Sequence, residues 1–173
     1  MDLRTGQTLD WIYVGDCADQ HGSLDMTAGP DGRLHILYGG TYPNTYRTEG
    51  NTYHRVSTRP WDVTAWDART DMGNYLGMLQ TDVNGAVHMI GLEFSLSVGQ
   101  GLKHRIWSGG AWGSYTTIAT PNGWENYPCD LCPNADHSKL HLVGYSYHQA
   151  GPAEWKNGWH IYSAQLRQAY QNN

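Results

Sequence analysis

One phrase recurs along this chain at a spacing of 53 residues, and each copy carries a histidine: DGRLHILYGG around His35, NGAVHMIGLE around His88 and HSKLHLVGYS around His141. A turn sequence precedes each copy (GPDG, DVNG, NADHS), and a short apolar run precedes the turn (SLDMTA, YLGMLQTD, PCDLCP). A third run follows with a second histidine, His54 in TYHRVS, His104 in LKHRIWS and His160 in GWHIYS. Two of the copies continue into RPWDVTAW and GGAWGSYTTIA, each reading as a turn with a tryptophan that leads into a fourth strand. Four short strands per unit of about fifty residues is the pattern of a propeller blade, a sheet that buries both faces against its neighbours.

The expected fold is therefore all-β: a β-propeller of four-stranded antiparallel blades, about three per chain, spanning residues 21 to 66, 75 to 118 and 128 to 163 of a single domain, 1 to 173. The third unit runs out before its fourth strand, while a strand-like run at residues 8 to 15 stands ahead of the first unit without a partner. Three blades are too few to close a ring. Two chains supply six, so a homodimer is expected in which residues 8 to 15 complete the partner's third blade and remove an exposed edge. A piece of a longer propeller, or a unit of a larger array, is the competing arrangement. Within such a fold the repeated histidine reads as a packing residue, its ring filling space and its nitrogens satisfying backbone groups nearby.

Composition narrows the partners. A formal net charge of -5, with 11 Lys and Arg scattered rather than clustered, argues against a nucleic-acid partner. No apolar run is long enough to insert in a membrane, and the first twenty residues lack the regions of a signal peptide. An extracellular or virion-surface location is expected. The three cysteines, Cys17, Cys129 and Cys132, cannot all pair within one chain. With His21 they match the donor types of a tetrahedral zinc site, but a zinc signature needs two close pairs and only Cys129 and Cys132 form one. Ordinary thiols are the preferred reading, no cofactor is expected, and zinc is the one metal the spacing admits.

Eight tryptophans and twelve tyrosines stand beside a single phenylalanine. Trp61, Trp66, Trp107, Trp112, Trp124, Trp155 and Trp159 fall at or near expected turns, where flat aromatic faces stack on sugar rings, although packing between blades should claim at least half of them. For catalysis the repeated pairs His54-Arg55 and His104-Arg105 are the candidates, the histidine as base and the arginine neutralising a uronate, with His21 beside them. Hydrolysis would need two facing carboxylates from a set such as Asp62, Asp67, Asp71 and Glu93.

HGSLDMTAGPDGRLHILYGG followed by YHRVSTRPWDVTAW resembles the BNR-type repeats of the sialidase-like superfamily, most closely the BNR-4 group that includes ulvan and related polysaccharide lyases. The resemblance covers most of residues 21 to 66 and returns more loosely in 75 to 118 and 128 to 163. It implies a propeller and, in the lyase relatives, histidines after the second strand and near the third, with a tyrosine and an arginine, acting beside a neutralised uronate. This chain matches at His21, His54 and Arg55, and has GGTYP at 39 to 43 where those relatives tend to place histidine. The Asp-box pattern of sialidases is only echoed, STRPW and SGGAW keeping the serine and tryptophan without the aspartate. The leading expectation is lectin-like recognition of a carbohydrate or cell-surface glycan without catalysis, possible in a virion tail or surface fibre. The alternative is a polysaccharide lyase or glycosidase acting on an acidic polysaccharide.

Overall fold

The computed structural model describes residues 12–14, 23–39, 51–73, 75–93, 101–119, 125–134, 139–151 and 154–164. They form three antiparallel sheets. The first contains β1 (Ser23–Ala28), β2 (Leu34–Gly39), β3 (Thr52–Val56) and β4 (Thr70–Asp71), in that order. The second runs β5 (Tyr75–Thr81), β6 (Val87–Glu93), β7 (Leu102–Ser108) and β8 (Ala111–Trp112), with β9 (Thr116–Ala119) also pairing β7. The third is β10 (Glu125–Pro133), β11 (Leu140–Gly151) and β12 (Glu154–Ala164). The chain is all-β over the described residues.

The repeat is visible in the turns. Between β1 and β2, Gly29 N–H donates to the Arg33 carbonyl at 2.8 Å and Gly32 N–H to the Gly29 carbonyl at 3.0 Å. Between β5 and β6, Asp82 and Gly85 make the matching bonds at 2.9 and 3.0 Å. Gly32 and Gly85 hold φ of 75° and 82°, a region that favours glycine. A Cβ on Gly85 would also meet Pro30 Cγ at 2.5 Å, so the turn of the second sheet nests against that of the first.

Two clusters of apolar side chains join the sheets. Leu37 from β2 packs with Met72, Leu79, Val87 and Met89, flanked by Trp107, Trp112 and Tyr115. On the other face of the second sheet, Ile90, Leu92 and Leu102 pack with Leu131, Leu140 and Leu142. Alternation along β6 explains the division, Val87 and Met89 facing one way and Ile90 and Leu92 the other. The first strands also bond across the gap: Leu79 N–H donates to Asp25 Oδ2 at 2.7 Å, and the Thr81 hydroxyl to the Ala28 carbonyl at 2.6 Å.

Three features depart from the sequence reading. The fourth strand of the first unit is Thr70–Asp71, not RPWDVTAW. Pro60 lacks a donor, Trp61 turns to φ 56°, and the Asp62 carboxylate caps Thr64, so that stretch loops and makes a single β-bridge, Ser57–Trp66, in place of a strand. The third unit also loses the histidine spacing: its register sets His141 opposite Ser163 and His160 opposite Gly144, whereas His35 and His88 stand opposite Val56 and Ile106, each two residues beyond the second histidine. Finally, residues 12–14 form no strand, and the Val14 carbonyl accepts from Arg55 Nη1 at 3.2 Å. The rest of the 8 to 15 run lies outside the described residues.

Candidate functional site

Cross-strand register brings the repeated histidines together in the first two sheets. Leu37 pairs with His54 and His35 with Val56, so His35 and His54 are diagonal neighbours on one face. His35 Nδ1 and His54 Nε2 are 3.1 Å apart, and His88 Nδ1 and His104 Nε2 are 2.9 Å apart. All four side chains are buried. Their partners are each other rather than the backbone groups anticipated from sequence.

The outer partners fix the protons. The Trp112 indole, a donor only, gives its hydrogen to His54 Nδ1 at 3.1 Å, which leaves His54 protonated at Nε2 and donating to His35 Nδ1. In the second sheet Asp82 Oδ2 accepts from His88 Nε2 at 3.2 Å, so His88 Nδ1 accepts from His104 Nε2. Asp82 Oδ1 meanwhile accepts the N–H groups of Asn84 and Ala86, which ties the turn to the pair. Burial pushes His54 down to about 3 and His35 and His104 to about 4, with the neighbouring histidine lowering His54 and His104 further. Burial lowers His88 as well, against the opposing pull of Asp82. His54 and His104 are thus neutral, buried and committed to bonds within the fold.

The arginines of the two pairs act as clamps. Arg55 Nε donates to the Asp67 carbonyl at 2.9 Å, and Arg105 Nε to the Gly113 carbonyl at 2.7 Å. Arg105 also lies over the Tyr115 ring, 4.2 Å from its centroid, while Tyr115 donates to the Met72 carbonyl at 2.5 Å. Of the tryptophans, Trp107 and Trp112 pack against His54 with ring centroids 5.0 and 4.9 Å away, joining the first two sheets. Trp66 is half-buried and donates to the Val63 carbonyl at 2.9 Å. Trp61 is 73% exposed. Trp155 and Trp159 lie in β12, and Trp124 lies outside the described residues.

A cluster that the sequence reading missed stands on the outer face of the first sheet. Tyr38 and Tyr53 are register partners with ring centroids 5.8 Å apart, and the Arg69 guanidinium sits over Tyr53 at 4.2 Å from its centroid. Arg55 occupies the same face two residues beyond Tyr53. Burial raises the Tyr38 phenol above its ordinary range, although Arg55 and Arg69 pull the other way, so it is a neutral acid at pH 7. Tyr53 is half-buried and Arg69 exposed. Such a group of phenols and guanidiniums can bind a carboxylate and move a proton beside it.

No protein-family model matches the sequence. An alignment 82 positions long, covering 41% of this chain and 17% of the other protein, is 34% identical to an ulvan lyase of Alteromonas sp. (strain LOR). Two solved structures of a PL25 ulvan lyase, a polysaccharide lyase, superpose with a TM-score of 0.55 at 17% and 16% identity, each over 79% of this chain and 34% of theirs. One of the two has -[GlcA(1-4)Rha3S]- bound. Over the matched part, the chain shares the fold of these lyase structures. It spans about a third of the solved lyases and less than a fifth of the curated one.

Within that fold the remaining candidates take these places. Cys132 is exposed with a free thiol, and Cys129 lies in β10. Cys17 and His21 lie outside the described residues. Among the described residues no three His, Cys, Asp or Glu side chains are grouped to hold a metal. Asp67 pairs with Arg33 of the β1–β2 turn, Asp62 accepts from Thr64 through Oδ1, and Asp71, in β4, accepts from Asn51 Nδ2 and the Gly73 N–H.

Proposed function

We propose that this chain belongs to a polysaccharide lyase and acts on an acidic polysaccharide by elimination. The observation that carries the reading is the 82-position likeness to an ulvan lyase at 34% identity, and the outer face of the first sheet supplies suitable groups. Arg69, with Arg55 behind it, neutralises the uronate carboxylate and so acidifies the neighbouring C5–H. Tyr53 as its phenolate takes that proton, the electron pair forms the C4–C5 double bond, the C4–O bond breaks, and the Tyr53 phenol so formed protonates the departing oxygen. The products are an unsaturated uronate and a shortened chain. Hydrolysis fits less well, because Asp67 is paired with Arg33 and Asp71 accepts from Asn51 and Gly73, which leaves neither free to face a second carboxylate.

Full-length protein incubated with ulvan should raise the ultraviolet absorbance of unsaturated uronate, and Tyr53→Phe and Arg69→Ala should each lower that rate by roughly a hundredfold or more. Tyr53→Phe at wild-type rate would remove Tyr53 from the mechanism. Recognition without catalysis is the second reading. It is favoured by the burial of His54 and His104, which takes two of the three histidines named from sequence away from any substrate. Under it the variants lose affinity and no product forms from any of them.

The same proposal treats the three sheets as blades of a BNR-type propeller, closed to six by a second copy.

A further inference from the structure

We infer that Trp61, with the carboxylates of Asp31 and Asp62, forms a second saccharide platform at the end of the first sheet opposite the tyrosine–arginine cluster. The inference rests on the carbohydrate reading above. It comes from a residue held where its type is disfavoured. Trp61 has φ 56°, the one non-glycine residue with positive φ among those described, and its ring is 73% exposed. Bulky side chains adopt this conformation only when the surroundings impose it, and such residues gather at binding sites. Here the Trp61 N–H donates to the Gly32 carbonyl at 2.8 Å, and its ring nitrogen lies 2.7 Å from where a Cβ on Gly32 would stand. The turn that repeats at Gly85 is therefore used in the first sheet to seat an indole that stays open to solvent.

The polar surroundings suit sugar hydroxyls. Asp31 Oδ1 accepts the Arg33 N–H at 3.0 Å, and Asp62 Oδ1 accepts the N–H and hydroxyl of Thr64 at 2.8 and 2.5 Å. Oδ2 of each has no donor among the described residues. Arg33 is committed to Asp67 and to the Ser57 carbonyl. An exposed indole seated on the turn that carries Asp31 and adjacent in sequence to Asp62, each carboxylate with an open oxygen, matches a neutral sugar ring, its apolar face on the aromatic and its hydroxyls donating outward. Two carboxylates against the single Arg59 beside Asp62 leave these surroundings net negative, which disfavours an anionic unit. A protein partner would need a contiguous apolar patch of several hundred Å² rather than one ring. Gly32 and Tyr38 are separated by about 20 Å at the ~3.3 Å rise of a strand, so a polymer would reach both sites only as a long chain.

Calorimetric titration of full-length protein with long-chain ulvan, alongside elimination assays on ulvan oligosaccharides too short to span the sheet, tests the platform. Trp61→Gly should weaken long-chain binding roughly five- to tenfold, leave short-substrate turnover unchanged, and hold or raise the Tm because glycine relaxes the positive φ. Unchanged affinity with intact cleavage would overturn the platform and leave the lyase reading standing. Weaker binding with a Tm lowered by several degrees would make Trp61 a structural residue and also overturn it. Wild-type protein that neither binds nor cleaves ulvan would remove the carbohydrate reading, and the platform with it.

Discussion

His35, His54, His88 and His104 are polar side chains sealed between sheets, and their chemistry makes folding sensitive to acid. An unfolded chain protonates these histidines near 6.5, whereas the folded chain resists until about 4 at His35 and His104 and about 3 at His54. Between those values the unfolded state binds more protons, so stability is complete above about pH 6.5 and falls as the pH drops toward 4. A series of thermal melts from about pH 7.5 down to 4.5 should show the Tm falling across that window, and a flat profile would mean the histidines are accessible when folded. His35→Leu removes the acceptor of His54 Nε2–H and should cost about 1 to 3 kcal/mol. Trp112→Phe should cost about 1 to 2 kcal/mol by leaving His54 Nδ1 without a donor. Urea unfolding measures both, and a change under a few tenths of a kcal/mol would contradict the tautomers derived above. The interval of 53 residues exposed His35 and His88 in the sequence, but Trp112 comes from the next sheet and no local pattern could announce it.

At the level of elements, the turn glycines were legible and their neighbours were not. DG and NG between alternating apolar runs mark the β1–β2 and β5–β6 hairpins directly, yet the reason that Gly85 tolerates nothing larger is Pro30, which belongs to the other hairpin. Gly85→Ala combines a positive φ with that clash and should destabilise by about 1 to 3 kcal/mol, and adding Pro30→Gly should recover only the part due to the clash. Denaturant midpoints of the two variants separate the contributions. The fourth strand of the first unit was misplaced because a tryptophan-bearing segment with β-branched residues reads as a strand, while Pro60 and the Asp62 cap turn it into a loop. The tyrosine–arginine cluster escaped notice for a related reason. Tyr38, Tyr53 and Arg69 lie on three separate segments, and only the register of β2 against β3 brings them to one face.

For the whole molecule, the repeat foretold stacked antiparallel sheets, and the described residues form three, with β5 lying against both β1 and β10. The proposed six-bladed closure predicts a solution mass twice that of one chain by light scattering, and a single-chain mass for a version lacking residues 1 to 15. A monomer in both cases would place the missing blades elsewhere than on a second copy. Function is decided most directly by the mass spectrum of products from ulvan incubated with the full chain. Elimination predicts fragments whose masses sum to that of the parent, one bearing an unsaturated uronate. Fragments heavier in total by one water for each cleavage would mean hydrolysis, and an uncleaved but bound polymer would mean recognition alone; either result would contradict elimination at the tyrosine–arginine face.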